Sequence, residues 1–336
     1  MPRSRVASPS GAPRRVACRR MRVLVTGAAG FVGRAVVQRL VEAGDDVTAV
    51  TRRPWSDHPG EVRHLVADVL DARAVAHAVE QCRPQGVCHL AAVTAVRESF
   101  KDPTRYFAVN VSGTIHVLQA LARFADRGGE PPRFVFGSTA AVYGTIGAQP
   151  IAEDAPSRPT NPYGTTKLAA DHLIGFQAAT GALAAVSLRC FNVAGATAQT
   201  ADDDLTRVIP KALAVVAGRE PYLVMNGDGS SVRDYLHVAD LADAYKAALD
   251  AAVPAQHRIY NTGSGLPVSL NDVISSVERI TGRQVTIRRS PPQNEPPALL
   301  ADTARIRREL AWEPRRSDLD TIIGDAWEVT NPSASG

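Results

Sequence analysis

No stretch of this 336-residue chain approaches the roughly 20 consecutive apolar residues that cross a bilayer, although 45% of its residues are hydrophobic. A helical membrane span is excluded, and the sequence reads as a soluble globular protein. Cysteine is scarce: Cys18, Cys82, Cys88 and Cys190 show neither metal-ligand spacing nor the density of a disulfide framework. A reducing cytoplasm and no metal site are therefore expected. The chain also lacks a strong charge of either sign, with a formal net charge of only +4. Much of that excess sits in Arg3, Arg5, Arg14, Arg15, Arg19 and Arg20, so the body is near neutral and nucleic-acid binding is not indicated. Residues 1–20 contain no acid and no apolar h-region, and Pro2, Pro9 and Pro13 fall within them. They read as a disordered leader or as the result of an upstream start codon, with Met21 opening the folded protein.

What remains after these exclusions is organised around Val23–Gly33, which reads VLVTGAAGFVG. Apolar and β-branched residues end at Gly27, and Val32, Ala35, Val36 and Leu40 then recur at helical spacing. Strand, tight turn and helix are implied. Gly27, Gly30 and Gly33 suit a turn that needs a conformation open to glycine, close backbone approach to a pyrophosphate and tight helix-to-sheet contact. The N–H groups at the start of the helix would face phosphate oxygens. A second strand, Val47–Val50, follows in order, which makes the stretch a dinucleotide site rather than an ordinary turn.

Further strands are expected at Arg63–Val66, Val87–Leu90, Arg133–Phe136 and Ala184–Leu188, with helices at Ala72–Glu80, Tyr106–Arg123 and Tyr163–Thr180. This alternation implies an α/β fold, a Rossmann-type doubly wound parallel sheet over residues 21–189. After Arg189 the alternation loosens, and residues 190–330 read as a smaller C-terminal substrate lobe. Within it lie an expected helix at Leu205–Ala217, a strand near Tyr222–Met225, and a helix capped by Ser269 with Asp272 at the third position. The loop Ser290–Pro297 and a disordered tail Asn331–Gly336 complete the chain.

The chemistry-bearing signal is Tyr163-Gly164-Thr165-Thr166-Lys167, placed about 130 residues after the glycine turn. On a helix, residues four apart share a face, so an ammonium would sit one turn from the phenol. That charge is expected to favour the phenolate and make Tyr163 a general base. Ser138 and Thr139 end the preceding strand, where ligands of open parallel sheets gather, and either hydroxyl could bond a substrate oxygen. Asn110, on a neighbouring helix, could orient water or backbone near the lysine.

Taken together, TGAAGFVG, HLAAVTAVRESFKDPTRYFAVNVSGT, STAAVYG, NPYGTTK, LRCFNVAGA and VRDYLHVADLADAY resemble the extended short-chain dehydrogenase/reductase superfamily. More narrowly, they are similar to the nucleotide-sugar epimerase/dehydratase family and its UDP-glucose 4-epimerases, from about Met21 to about Trp312. The resemblance implies a tightly held, recycled NAD and a homodimer formed through the helices Tyr106–Arg123 and Tyr163–Thr180. It implies catalytic roles for Tyr163, Lys167, Thr139 and Ser138. It places Gly27, Gly30, Phe31, Val32, Gly33, Thr51, Arg52, Asp68, Val69, Ala91, Ala92, Asn110, Tyr163 and Lys167 at the cofactor. On the substrate side it implies Thr139, Tyr163, Asn192, Arg233, Arg289 and Glu295, with Arg288 as the other candidate for a second phosphate-binding arginine.

Two departures stand out. Met225 and Asn226 occupy the place before GDG where the family usually carries an aromatic residue for the base. The acid expected after the second strand is replaced by Thr51-Arg52-Arg53, which leaves NADP open as cofactor. The activity expected is 4-epimerisation of a nucleotide sugar. A dehydratase, decarboxylase or 4-ketoreductase shares the turn and the YxxxK pattern, but Ala140 and Ala141 stand beside Thr139 where a 4,6-dehydratase generally needs an acid pair. A cofactor-binding regulator without chemistry is a third reading, disfavoured by the presence of Tyr163, Lys167 and Thr139.

Overall fold

A computed structural model describes residues 20–198, 200–292 and 296–331. The proposed leader up to residue 19, the tail from residue 332 and Glu295 lie outside the described residues. Six strands, β1 (Arg22–Thr26), β2 (Asp46–Thr51), β3 (Arg63–Val66), β4 (Gly86–His89), β5 (Arg133–Thr139) and β6 (Ala184–Cys190), join the strand His257–Thr262 in a seven-stranded sheet. All its pairings are parallel, in the order β3-β2-β1-β4-β5-β6 and then His257–Thr262.

Alternate residues of β1, β2, β4, β5 and β6 feed opposite cores, as the two-residue period of a strand requires. Val23 and Val25 of β1 face α1 (Phe31–Glu42), whereas Leu24 faces the side covered by α2 (Ala72–Cys82). Between β4 and β5 run α3 (Val96–Lys101), α4 (Pro103–Phe107), a π-helical turn Ala108–Ser112 and α5 (Gly113–Asp126). The helix expected over Tyr106–Arg123 is thus longer and contains a π turn. After β5, α6 (Pro162–Ala179) starts with Asn161 as N-cap, its side chain accepting the Gly164 N–H at 2.8 Å.

The C-terminal half forms its own core among α7 (Val208–Val216), α9 (Leu270–Thr281) and α11 (Leu319–Thr330), with Leu213, Val277 and Ile323 buried in it. Helix α7 begins three residues later than the pattern suggested. Asp204 accepts the Thr206 N–H and hydroxyl in a local turn, which delays the helix until Val208. The capping box of Ser269 and Asp272 is present as expected.

The division at Arg189 is a division of the chain and not of space. Helix α8 (Val238–Ala251) packs against α1, and His257–Thr262 pairs with β6, so the chain returns to the sheet after entering the lobe. The physical reason is the edge of β6, whose backbone groups would otherwise lack partners. Helix α10 (Ala304–Leu310) follows, and Ile306 and Trp312 join the sheet-side core.

Candidate active site

The strand order reverses between β1 and β4, and the crevice at their C-terminal ends is where ligands of open sheets bind. Gly27 fits there because of two constraints. Its φ is +70°, and a Cβ would lie 2.7 Å from the Ala91 nitrogen. A Cβ on Gly33 would collide with the Gly27 carbonyl, so helix and turn meet at a distance only glycine permits. Gly30 caps α1 with no side-chain hydrogen bond, and the first turn of α1 carries no acid. The N–H groups of Phe31, Val32 and Gly33 are therefore left for an anion. A dinucleotide pyrophosphate fits this cradle.

Around the mouth, Val50 at the end of β2 accepts the Gly27 N–H at 3.0 Å, which brings Thr51 and Arg52 beside the turn. Asp68 and the buried Val69 follow β3, with Asp68 accepting the Leu70 N–H at 2.9 Å. Ala91 and Ala92 lie across the crevice after β4. Asn110 is fully committed within the chain: it accepts the Val93 N–H and donates to the Val93 carbonyl and the Thr166 hydroxyl. It ties the Val93 backbone to α6 through Thr166.

Tyr163 opens α6 and is only 8% exposed, edge-on to Tyr106 with ring centroids 6.4 Å apart. Burial pushes its phenol up to about 12, and the side chain of Thr139 beside it pulls the other way. The charge of Lys167 one turn away, expected to favour the phenolate, is outweighed in this ionisation by burial. Lys167 donates to the Gly137 carbonyl at 2.7 Å and stands 4.6 Å over the Phe136 ring, and burial lowers its own ammonium to about 8. Desolvation outweighs the one-turn spacing in both groups. The charge of Arg207, at the start of α7, does act to lower the phenol.

Thr139 and Ser138 part company. Thr139 ends β5 half-buried near the phenol, its hydroxyl accepting the Ala141 N–H at 3.2 Å. The Ser138 hydroxyl points the other way along the pleat and donates to Asp171 at 3.0 Å. Asp171 also pairs with Arg189 at 3.3 Å, and those two side chains are 1% and 4% exposed. Arg189 in turn covers the Tyr143 ring at 4.9 Å.

Sequence reasoning missed this ion pair, and it missed Arg207 and His89. His89 ends β4 between Thr26 at 2.7 Å and Thr114 at 3.0 Å, and burial pushes its imidazole down to about 3. The Thr26 oxygen already accepts the Leu90 and Ala91 N–H groups, so its proton goes to His89 Nδ1. Nε2–H then donates to Thr114, whose hydroxyl donates to the Asn110 carbonyl. One orientation satisfies every member, and it pins the Ala91 segment to the crevice. The sequence signal was slight, a lone histidine at a strand end.

In the lobe, Asn192 is exposed and donates to the Asp234 carbonyl at 3.0 Å. Arg233 donates to the Val232 and Pro296 carbonyls, and its neighbour Asp234 is fully buried, accepting from Ser264, Gly265 and Ala301. Arg289 lies on Ile287–Ser290, its guanidinium 3.4 Å from the Met225 sulfur and 3.5 Å from the Gly227 carbonyl. Arg288 faces the opposite side and donates to Tyr222 at 3.0 Å. Register thus separates the two arginine candidates. Met225 is buried, 1% exposed.

A glycine-turn dinucleotide cradle facing a buried Tyr-Lys pair and a Thr hydroxyl defines an enzyme of nicotinamide chemistry on an alcohol. Residues 23–263 match the model of the NAD dependent epimerase/dehydratase family, and the chain belongs to that family. It is 40% identical to a UDP-glucose 4-epimerase of Streptomyces lividans, over 91% of this chain and 94% of the relative. A UDP-glucose 4-epimerase of Corynebacterium glutamicum is 38% identical, over 93% and 96% of the two chains. The crystal structure of UDP-glucose 4-epimerase from Brucella ovis in complex with NAD superposes with a TM-score of 0.85 at 33% identity, over 91% of this chain and 97% of that one.

Proposed function

We propose that the protein is an NAD-dependent nucleotide-sugar 4-epimerase of the UDP-glucose/UDP-galactose type. The observation that carries this reading is the convergence of Tyr163 and Thr139 at the end of β5, with alanines rather than carboxylates beside Thr139. Such a site can move a proton on and off a sugar hydroxyl but has no acid pair there to expel water. NAD, when bound, supplies the acceptor for the hydride of sugar carbon 4 and its donor for return to the opposite face.

Tyr163 takes the proton of the 4-hydroxyl and later gives it back, and because the hydride also returns to carbon 4 the reaction is redox-neutral. A phenol held at about 12 is a poor base at neutral pH, and positive charge must pull it down in the working complex. Lys167, charged below about pH 8, and Arg207 are the cations of this chain placed for that task. Thr139 holds the sugar oxygen in line. Asn192, Arg233, Arg289 and Glu295 are assigned to the nucleotide diphosphate and sugar, where an arginine fork suits phosphate.

The same reading includes a homodimer through the helical run Tyr106–Arg123 and α6, supported by Phe107 at the end of α4 and Phe176 on α6, which are 43% and 76% exposed. A cytoplasmic location accords with the free thiols of Cys82, Cys88 and Cys190. No described helix is long and apolar enough to cross a membrane. Purified protein given UDP-glucose without added cofactor is expected to form UDP-galactose. If no UDP-hexose epimerises even with NAD supplied, the assignment fails; stoichiometric consumption of reduced nicotinamide would point to a 4-ketoreductase instead.

A further inference from the structure

A protein that selects NAD over NADP commonly places a carboxylate at the end of β2, where it accepts from the ribose 2′-hydroxyl and repels a 2′-phosphate. This chain ends β2 with Thr51, and that hydroxyl is used internally. It donates to the Arg53 carbonyl at 2.5 Å and lies 2.6 Å from His64 Nε2. Arg52 and Arg53 follow, both exposed.

The first acid after β2 is Asp57, and its carboxylate is occupied. Arg34, one turn into α1, holds it with two nitrogens at 2.6 and 3.3 Å, and this keeps the carboxyl below its ordinary range. Arg34 is itself braced. Its Nε donates to the Ala29 carbonyl of the glycine turn at 3.1 Å, and its guanidinium lies 4.9 Å over the Trp55 ring. Three arginines and one already paired, exposed acid therefore gather beside the glycine turn and the end of β2. The bidentate grip of Arg34 on an oxyanion is the geometry a phosphate monoester would take.

We infer that Arg34, Arg52 and Arg53 form a subsite for the 2′-phosphate of NADP, with Asp57 as the internal anion that a 2′-phosphate displaces. The inference rests on the dinucleotide reading of the glycine turn and extends it. A working NAD enzyme with this subsite discriminates little against the phosphorylated form. One charge-assisted bond is worth roughly a factor of ten to a hundred and fifty in affinity, enough to offset the missing ribose contact.

The test titrates the full-length protein, freed of its retained nucleotide, with NADH and with NADPH, reading the nicotinamide fluorescence gained as each binds. Dissociation constants within about tenfold of each other are expected, and NADPH weaker by more than that overturns the inference. Failure of both ligands to bind overturns the dinucleotide site itself, which separates the two claims. In the double variant Arg52→Ala, Arg53→Ala, NADPH should weaken about tenfold or more while NADH stays within about twofold. Equal effects on both ligands, or on neither, reject the subsite.

Discussion

Around Tyr163 almost every polar side chain is buried and already hydrogen-bonded, whereas around Arg233 and Arg289 the groups assigned to substrate are half-buried or exposed and lean on backbone carbonyls. The sheet side holds Lys167 on the Gly137 carbonyl, Ser138 on Asp171 and His89 between two threonines. The lobe side rests on short strands of two to four residues, such as Val232–Arg233 and Ile287–Ser290. Preorganised groups act on charge that develops during reaction, while adaptable ones hold what is present throughout. Turnover should therefore depend on the first region and substrate affinity on the second.

The strongest way to break that comparison is Tyr163→Phe, which removes one oxygen from the buried side. Loss of a positioned proton acceptor should lower kcat by about 10² to 10⁴ with the protein folded and its dinucleotide retained. Steady-state epimerisation and the absorbance of bound nucleotide read the two effects separately. Turnover near the unmodified rate would remove Tyr163 from the chemistry.

Next in size is Asp171→Ala. Arg189 would be left with its charge buried and Ser138 without its acceptor. Breaking a buried pair by deleting one partner costs about 3–5 kcal/mol, to be read from the urea midpoint. A loss below about 1 kcal/mol would mean that water reaches the pair and that the sheet side is less sealed than its exposures indicate.

How much of this was legible depended on the range of the interactions. The glycine turn was legible because the positive φ of Gly27 and the approach of Gly33 to the Gly27 carbonyl are local demands, and β3 matched its expected ends, Arg63 and Val66. The strand His257–Thr262 was not. Its sequence, HRIYNT, is that of a sheet edge, and its partner β6 lies about 70 residues away. His89 was illegible for the same reason: Thr26 and Thr114 lie 63 and 25 residues off, and only the fold shows that the ring bridges them. The spacing of Tyr163 and Lys167 was legible but its electrostatics were not, since one turn of helix says nothing about burial.

The smallest expected effects sharpen the comparison from within the lobe, by setting Arg233 against Arg288. Arg233→Ala removes a guanidinium assigned to the substrate diphosphate, and a lost charge-assisted bond should raise KM roughly ten to a hundred and fifty fold with kcat little changed. Arg288 has the same charge and lies on the same strand as Arg289, yet its register turns it onto Tyr222 at 5.4 Å. Arg288→Ala should lose only that exposed cation–π contact, about 0.5–1 kcal/mol of stability, and leave KM within about twofold. If net positive charge in the lobe were what bound the diphosphate, the two variants would raise KM alike. A KM effect confined to Arg233 instead locates affinity in the geometry of one fork, because strand alternation has already turned the other away.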